Sequence, residues 1–266
     1  MDLAAAAYPV AAETAPVSLW LNGHRAVISD APEVRRAALA MRAKAFRHGL
    51  DDEDAFDDGF LHGIVWSEKD TPRVAFRVRL IHDAADLGGS YTGQFYDLAP
   101  LRAHPGAYLE LGRFCQAEGP TNVMALRLAW AALGVLVDRN GVGMMIGCSS
   151  FPGADPEPHL PALAALHAHH LGPDWLRPKR LSSLSVDLPR TGAVTSSLPN
   201  LLRSYLGMGG WVSDHAVRDL QLDTLHVFTG LAIDAMPEAR KARLRAVARA
   251  AQVDTTNPLD LARAAP

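Results

Sequence analysis

Hydrophobic and polar positions change period several times along this chain, and each change predicts an element. In "APEVRRAALAMRAKAFRHG", Val34, Ala38, Met41, Ala45 and Phe46 fall near one face of a helix over Ala31–Arg47, with Pro32 at its start and Gly49 just past its end. Its other face is basic. "HGIVW" (62–66) and "RVAFRVRLI" (73–81) read as two strands of a hairpin joined by the polar "SEKDTP". In the second strand Arg77 and Arg79 alternate with Phe76, Val78 and Leu80, so both arginines leave the same face.

Residues 107–116, "AYLELGRFCQ", form a further strand. "AEGPT" ends it, and Thr121 is the expected cap of a helix carrying Met124, Leu128, Ala131, Ala132, Val135 and Leu136 in helical spacing up to "NG". "VGMMIGCSSF" is almost continuously apolar, as expected of a strand covered on both faces. Beyond Pro152 the pattern predicts a helix within "DPEPHLPALAALHAHHLGPDWL", a strand at 183–188, a short helix in 198–212 stopped by glycines, and a last strand at 223–233. A basic amphipathic helix follows over about 237–251. The order strand, strand, strand, helix, strand implies an α/β protein with a mixed central sheet flanked by helices. The expected organisation is a tail over 1–30, one domain over 31–236, and the basic helix with a C-terminal tail over 237–266.

With 266 residues, 48% of them hydrophobic and 21% charged, the chain buries a substantial core. A formal charge of -3 leaves no whole-molecule attraction for nucleic acid or anionic lipid, so an acidic partner would have to meet a local patch. Such patches occur at Arg35, Arg36, Arg42, Lys44 and Arg47, at "RPKR" (177–180), and at Arg240, Lys241, Arg243, Arg245 and Arg249. Two cysteines, Cys115 and Cys148, make no disulfide framework, and a reducing, cytoplasmic compartment is expected. The N-terminus has no basic leader region, and no uninterrupted apolar run reaches about eighteen residues, so no membrane span is expected.

Several chemistries lack their residues. "GCSSF" has Phe151 where a nucleophile elbow needs glycine. On a helix, His167 and His170 share a face that His169 leaves, and no acidic or cysteine ligand is spaced to complete a metal shell. The acidic run "LDDEDAFDDGF" reads as a loop and fails as a calcium loop, because Phe56 and Val65 stand where oxygen ligands belong. There is no Walker loop and no strand-linked G-x-G-x-x-G.

One strand remains chemically distinctive. In "YLELGRFCQ", Glu110 and Arg113 sit three apart, on opposite faces of a regular strand. They share a side only if the strand bulges, most easily at Gly112. The bland alternative is an edge pair, one side chain up and one down.

The order "QFYDLAPL", "YLELGRFC", "LRLAWAALGVLVDRNGVGMMIGCSSFPGADPEPH" resembles the L-ornithine N-acyltransferase family, whose members make lyso-ornithine lipid on a GNAT-like acyltransferase fold. "RAKAF", "FDDGFLHGIVW" and "LPNLLRSYLGMGGWV" extend the resemblance over about residues 36–233. It implies transfer of a 3-hydroxyacyl group from the phosphopantetheine thioester of acyl carrier protein to the α-amine of ornithine, with no further cofactor and no metal. On this resemblance Glu110 would take the amine's proton. Arg113 and Arg79 would hold the acceptor's carboxylate, and Asp57 its side-chain ammonium. Backbone N–H groups near Phe114 and Cys115 would face the oxyanion. Arg42, Phe46, Cys148, Ser149 and Phe151 complete the expected substrate-binding set.

The chain departs from the family pattern at Leu61, ahead of His62, where an acid is usual, and at His226 after "DTL", where an Asp is expected. "EGPTNVMAL" replaces the glycine-rich turn that cradles coenzyme A pyrophosphate, which favours acyl carrier protein as donor. A basic surface at Arg35, Arg36, Lys44 and Arg47, or at "RPKR", would receive that acidic carrier, and the late basic helix would lend itself to peripheral contact with the inner face of the membrane. Two other readings stay open: the same fold using coenzyme A or another amino acid, and a non-catalytic module that binds acyl carrier or lipid.

Overall fold

The computed structural model describes residues 15–191 and 198–253. In chain order the elements are β1 (Val17–Leu21), β2 (His24–Ser29), α1 (Pro32–Arg47), β3 (Leu61–Ser67), β4 (Thr71–Ile81), β5 (Tyr96–Asp97), β6 (Ala107–Gln116) and α2 (Val123–Arg139). They continue with β7 (Val142–Pro152), α3 (Leu160–His169), β8 (Lys179–Arg180), β9 (Ser185–Asp187), α4 (Asn200–Gly207), β10 (Trp211–Asp219), β11 (Thr224–Ala232), α5 (Glu238–Ala250) and β12 (Gln252–Val253).

The chain divides into two compact units. One gathers the residues up to Arg79, Arg113–Arg139 and the chain from Lys241 on; the other gathers Leu80–Gly112 and Asn140–Arg240. The expected single domain over 31–236 is therefore interleaved from two units, and β4 and β6 pass from one to the other along their own length. The expected tail over 1–30 also needs correction. Val17, Leu19, Ala26, Val27 and Ile28 are buried in the β1–β2 hairpin, whose reversal at Asn22 and Gly23 takes positive φ angles of 48° and 71°. The part of that tail before residue 15, and the expected C-terminal tail after 253, lie outside the described residues.

In the first unit, β12, β1, β2, β3 and β4 follow one another as antiparallel neighbours. The second half of β6 lies beside β4, with the Ala117 N–H donating to the Arg73 carbonyl at 2.9 Å. Helix α1 packs on β3 and β2, and α2 on β1, β2 and β3. Helix α1 starts with Pro32 in its first turn and Glu33 behind it, and ends where His48 turns left-handed (φ 52°). The cap of α2 is Asn122, not Thr121: its Oδ1 accepts from the Ala125 N–H at 2.9 Å.

In the second unit the first half of β6 runs parallel to β7, and β11, β10 and β9 continue antiparallel. A separate ladder joins β5 to β8. The β6–β7 approach is unusually close: a Cβ on Gly147 would lie 2.4 Å from the Leu111 carbonyl oxygen. Gly147, the first residue of "GCSSF", therefore meets a packing need there. Strand β10 has no counterpart among the expected elements. The pattern "WVSDHAVRD" interrupts its alternation with Asp214 and His215, and the ladder to β11 shifts register between Val212 and Ala216.

Candidate active site

Helix α1 carries the central cation of the first unit. Arg42 is wholly buried: its Nε donates to Asp52 Oδ2 at 2.9 Å, its Nη2 to the Asp52 carbonyl at 2.9 Å, and its Nη1 to Asp57 Oδ1 at 2.6 Å. The basic patch expected at Arg35, Arg36, Arg42, Lys44 and Arg47 therefore loses Arg42. Arg42 stands four residues after Ala38 and eight after Val34, both buried, so it shares their stripe, while Ala45 is exposed.

The acidic run supplies the partners. Asp57 Oδ1 also lies 2.9 Å from Arg77 Nη1, and Asp54 receives Arg77 at 2.6 and 3.0 Å. Arg113 reaches Asp52 through Nε at 3.2 Å and Asp54 through Nη2 at 3.1 Å, with the Phe46 ring 5.9 Å from its guanidinium. Three arginines thus interleave with three aspartates from one short loop. Burial would raise the Asp57 carboxyl, but the Arg42 hydrogen bond and the charges of Arg77 and Arg42 hold it well below the usual carboxylate range. For Arg77, burial opposes the charge, and Asp54 and Asp57 overcome it and raise its pKa. His62 stays neutral beside them, its pKa pulled down to about 4 by burial against the attraction of Asp57.

Two expected roles change with this geometry. Asp57 is buried with both carboxylate oxygens on arginine, so it does not face an acceptor's ammonium. Of the paired arginines on β4, Arg77 joins the network through Asp54 and Asp57, while Arg79 is half-buried. Asp52, Asp54 and Arg77 were not among the expected site residues. The available signal was the acidic run "LDDEDAFDDGF" together with an arginine inside the apolar run of β4, the second strand after it.

Strand β6 departs from regular geometry where a bulge was expected, but at Arg113 rather than at Gly112. Arg113 holds φ 51°, in the left-handed region that costs a side-chain-bearing residue about 1–2 kcal/mol. Its two aspartates fix it there. Register pairs with β7 end just before, at Leu111↔Gly147. The following residue, Phe114, stacks on Phe76 at 5.6 Å and on Trp130 at 5.9 Å. Cys115 is buried among Ala38, Met41 and Ala75, and burial pushes its thiol up to about 12.

Glu110 belongs to the second unit. Its buried carboxylate accepts from the Tyr91 N–H at 3.2 Å, the Thr92 N–H at 2.7 Å and the Thr92 hydroxyl at 2.6 Å. The same hydroxyl accepts from Cys148 Sγ at 4.0 Å. Ser149 Oγ accepts from the Thr229 hydroxyl at 2.9 Å on the next strand. Phe151 is core, packed with Leu163 and Leu166 and 5.0 Å from the His159 ring, so it offers no ligand surface. Glu110 and Arg113 therefore do not pair with each other: each holds a different loop.

The family follows from comparison with known proteins. The acetyltransferase (GNAT) domain family model matches residues 33–131. An L-ornithine N(alpha)-acyltransferase of Rhodobacter capsulatus is 33% identical over 199 residues, 71% of this chain and 77% of that protein. A protein of the same name from Rhizobium meliloti is 29% identical over 213 residues, 76% of this chain and 72% of its own. Among solved structures, FeeM, an N-acyl amino acid synthase from uncultured soil microbes, aligns with a TM-score of 0.43 and 10% identity over 82% of this chain and 97% of that one. The chain is α/β with a GNAT acetyltransferase domain, and it belongs to the L-ornithine N(alpha)-acyltransferase family.

Proposed function

We propose that this protein N-acylates the α-amine of L-ornithine with a (3-hydroxy)fatty acyl group delivered as the thioester of acyl carrier protein. The identity of the acceptor rests on the relatives' names. The structural observation that carries acyl transfer is β6 itself. Over residues 110–113 it presents a buried carboxylate, the end of its ladder with β7, and an arginine held left-handed. Backbone N–H groups that leave a ladder can turn toward a carbonyl oxygen, and those near Phe114 and Cys115 are the proposed oxyanion donors.

In the proposed reaction the amine nitrogen attacks the thioester carbon, the C–N bond forms, and the C–S bond breaks to release the carrier's thiol. Glu110 takes the amine's proton, directly or through water. No covalent enzyme intermediate is needed. Arg113 and Arg79 hold the acceptor's carboxylate, since a guanidinium fork matches that group. The exposed Arg36 and Lys44 on α1 suit the acidic carrier. Among the described residues no helix is long and apolar enough to cross a membrane, so any membrane contact in this reading is peripheral.

The test is purified protein with acyl carrier protein thioester and a panel of amino acids, read by mass spectrometry. Acylated ornithine is expected. No product from any acceptor would leave only a binding role, and product from other amino acids alone would move the acceptor. Glu110→Gln keeps shape and one acceptor oxygen, and as loss of a general base it lowers kcat about 10²–10⁴-fold. If the variant only melts earlier and turns over normally below its Tm, Glu110 is an anchor for residues 91–92 and not the base.

A further inference from the structure

The three hydrogen bonds to Glu110 are shared unequally between its two oxygens. Oε1 accepts from the Thr92 N–H at 2.7 Å and from the Thr92 hydroxyl at 2.6 Å, while Oε2 accepts from the Tyr91 N–H at 3.2 Å. An ionised carboxyl group offers about two acceptor positions on each oxygen. Both positions on Oε1 are thus taken, at short distance and by one residue. Oε2 holds a single longer bond, and among the described residues no further donor reaches it.

The two oxygens also differ in how deeply they are enclosed. Thr92, which holds Oε1, is 0% exposed, whereas Tyr91, which holds Oε2, is half-buried. By register Glu110 pairs with Ile146, so Ile146, Cys148 and Ser150 follow one another along the sheet face that Glu110 occupies. Ile146 is buried, Cys148 half-buried and Ser150 exposed, so this face opens toward solvent along β7.

The turn that carries Thr92 is itself locked. Ser90 Oγ donates to the Leu87 carbonyl at 2.7 Å and accepts from the Gly93 N–H at 3.0 Å, and Ser90 is 0% exposed. A threonine hydroxyl has one proton to give, and Thr92 gives it to Glu110 while its oxygen receives the Cys148 thiol at 4.0 Å. Its branched side chain is stiff, so the hydroxyl keeps that direction.

We infer that Thr92 is a positioning residue: it clamps Oε1 of Glu110 and so leaves Oε2 as the atom that receives the amine's proton. This rests on the acyl-transfer reading and adds to it which oxygen reacts and what holds the other. As the C–N bond forms, the proton passes from nitrogen to Oε2. The C–S electron pair leaves with sulfur, which takes up that proton as the carrier's thiol and restores the carboxylate. A carboxylate free to rotate would turn either oxygen away from the amine, and two donors on one oxygen remove that freedom.

The experiment measures acylation of ornithine from an acyl carrier protein thioester by wild type, Thr92→Val and Thr92→Ser, each below its own Tm. Valine keeps the shape and the backbone N–H but not the hydroxyl. It should lower kcat about 10–100-fold while KM for ornithine changes less than about twofold, since the lost contact acts in the transition state. Serine returns the hydroxyl and should recover most of kcat. Wild-type kcat in Thr92→Val, equal losses in the two variants, or a change confined to KM would each overturn the assignment. The clamp is also read without turnover or a Thr92 variant. In amide NMR spectra of wild type and Glu110→Gln, the Tyr91 and Thr92 signals should both move, that of Thr92 further because its bond is the shorter. An unmoved Thr92 signal would overturn the clamp. If wild type acylates no amino acid, the acyl-transfer reading fails instead, and the amide signals still decide whether Thr92 holds Glu110.

Discussion

In the first unit, Arg42, Arg77 and Arg113 meet Asp52, Asp54 and Asp57 at 2.6–3.2 Å, so each of the six charges has an opposite neighbour. In the second unit, His215 and His226 are as deeply buried and each keeps one nitrogen without a partner. The two regions solve different problems. A guanidinium and a carboxylate carry fixed opposite charges, and burying them without pairing costs several kcal/mol per ion, so the network is closed in charge, while the neutral His62 beside it keeps an Nδ1 without a hydrogen-bond partner. A neutral imidazole loses far less when one nitrogen is left open, so a fold tolerates it without a counter-charge. The enclosed ions Arg42, Asp52 and Asp57 therefore form a framework, while the imidazoles need only be kept neutral.

Breaking the closed side gives the largest effect. Arg77→Met leaves Asp54 and Asp57 short of a cation inside the first unit and should lower stability by about 3–5 kcal/mol in urea unfolding. A loss below about 1 kcal/mol would show that water already enters the network.

Acidification acts on both regions. The folded pKa of His62 and of His226 is lowered to about 4 from 6.5, so below pH 6.5 the unfolded chain takes up protons that the folded chain refuses. Stability should fall as pH drops from 6.5 toward 4, by up to about 3 kcal/mol for each imidazole. Asp57 adds nothing in that window: its pKa is depressed, so its contribution is present above the ordinary carboxylate value and is lost only at lower pH. His226→Phe should flatten the slope of unfolding free energy against pH. An unaltered slope would mean that His226 is not buried neutral.

A smaller effect tests the spacing on which the open side depends. Gly147→Ala puts a methyl 2.4 Å from the Leu111 carbonyl, a backbone atom that cannot swing away, and should cost about 1–3 kcal/mol. A wild-type Tm would show that β6 and β7 separate freely there. Smallest of all is the exposed pair of Arg245 with Asp138 at 2.8 Å, outside both regions. Arg245→Ala should change stability by less than about 1 kcal/mol and make it less salt-dependent.

How far these regions could be foreseen depends on whether their signal is local. Helix α1, the β3–β4 hairpin, β6, α2 and β7 each carry a period or a boundary signal within a dozen residues, and they formed where the pattern placed them. The break in β6 was foreseen too, but one residue early, because Gly112 is the cheaper place for it and only the ion pairs of Arg113 outweigh that preference. Strands β1 and β2 stayed hidden behind an alanine-rich start, and β10 behind its interrupted alternation.

The sequence by itself determined the order of elements, the family to which the motifs point, and the presence of a carboxylate and an arginine three apart on one strand, because those follow from neighbours along the chain. Only the tertiary structure decided which acid of "LDDEDAFDDGF" meets which arginine, that Arg42 is inside, that Arg77 rather than Arg79 joins the network, and that His226 keeps an open nitrogen. Six acids in one loop look alike locally. They differ only in the desolvation and the charges that distant segments bring to each, and those are set by how the whole chain packs.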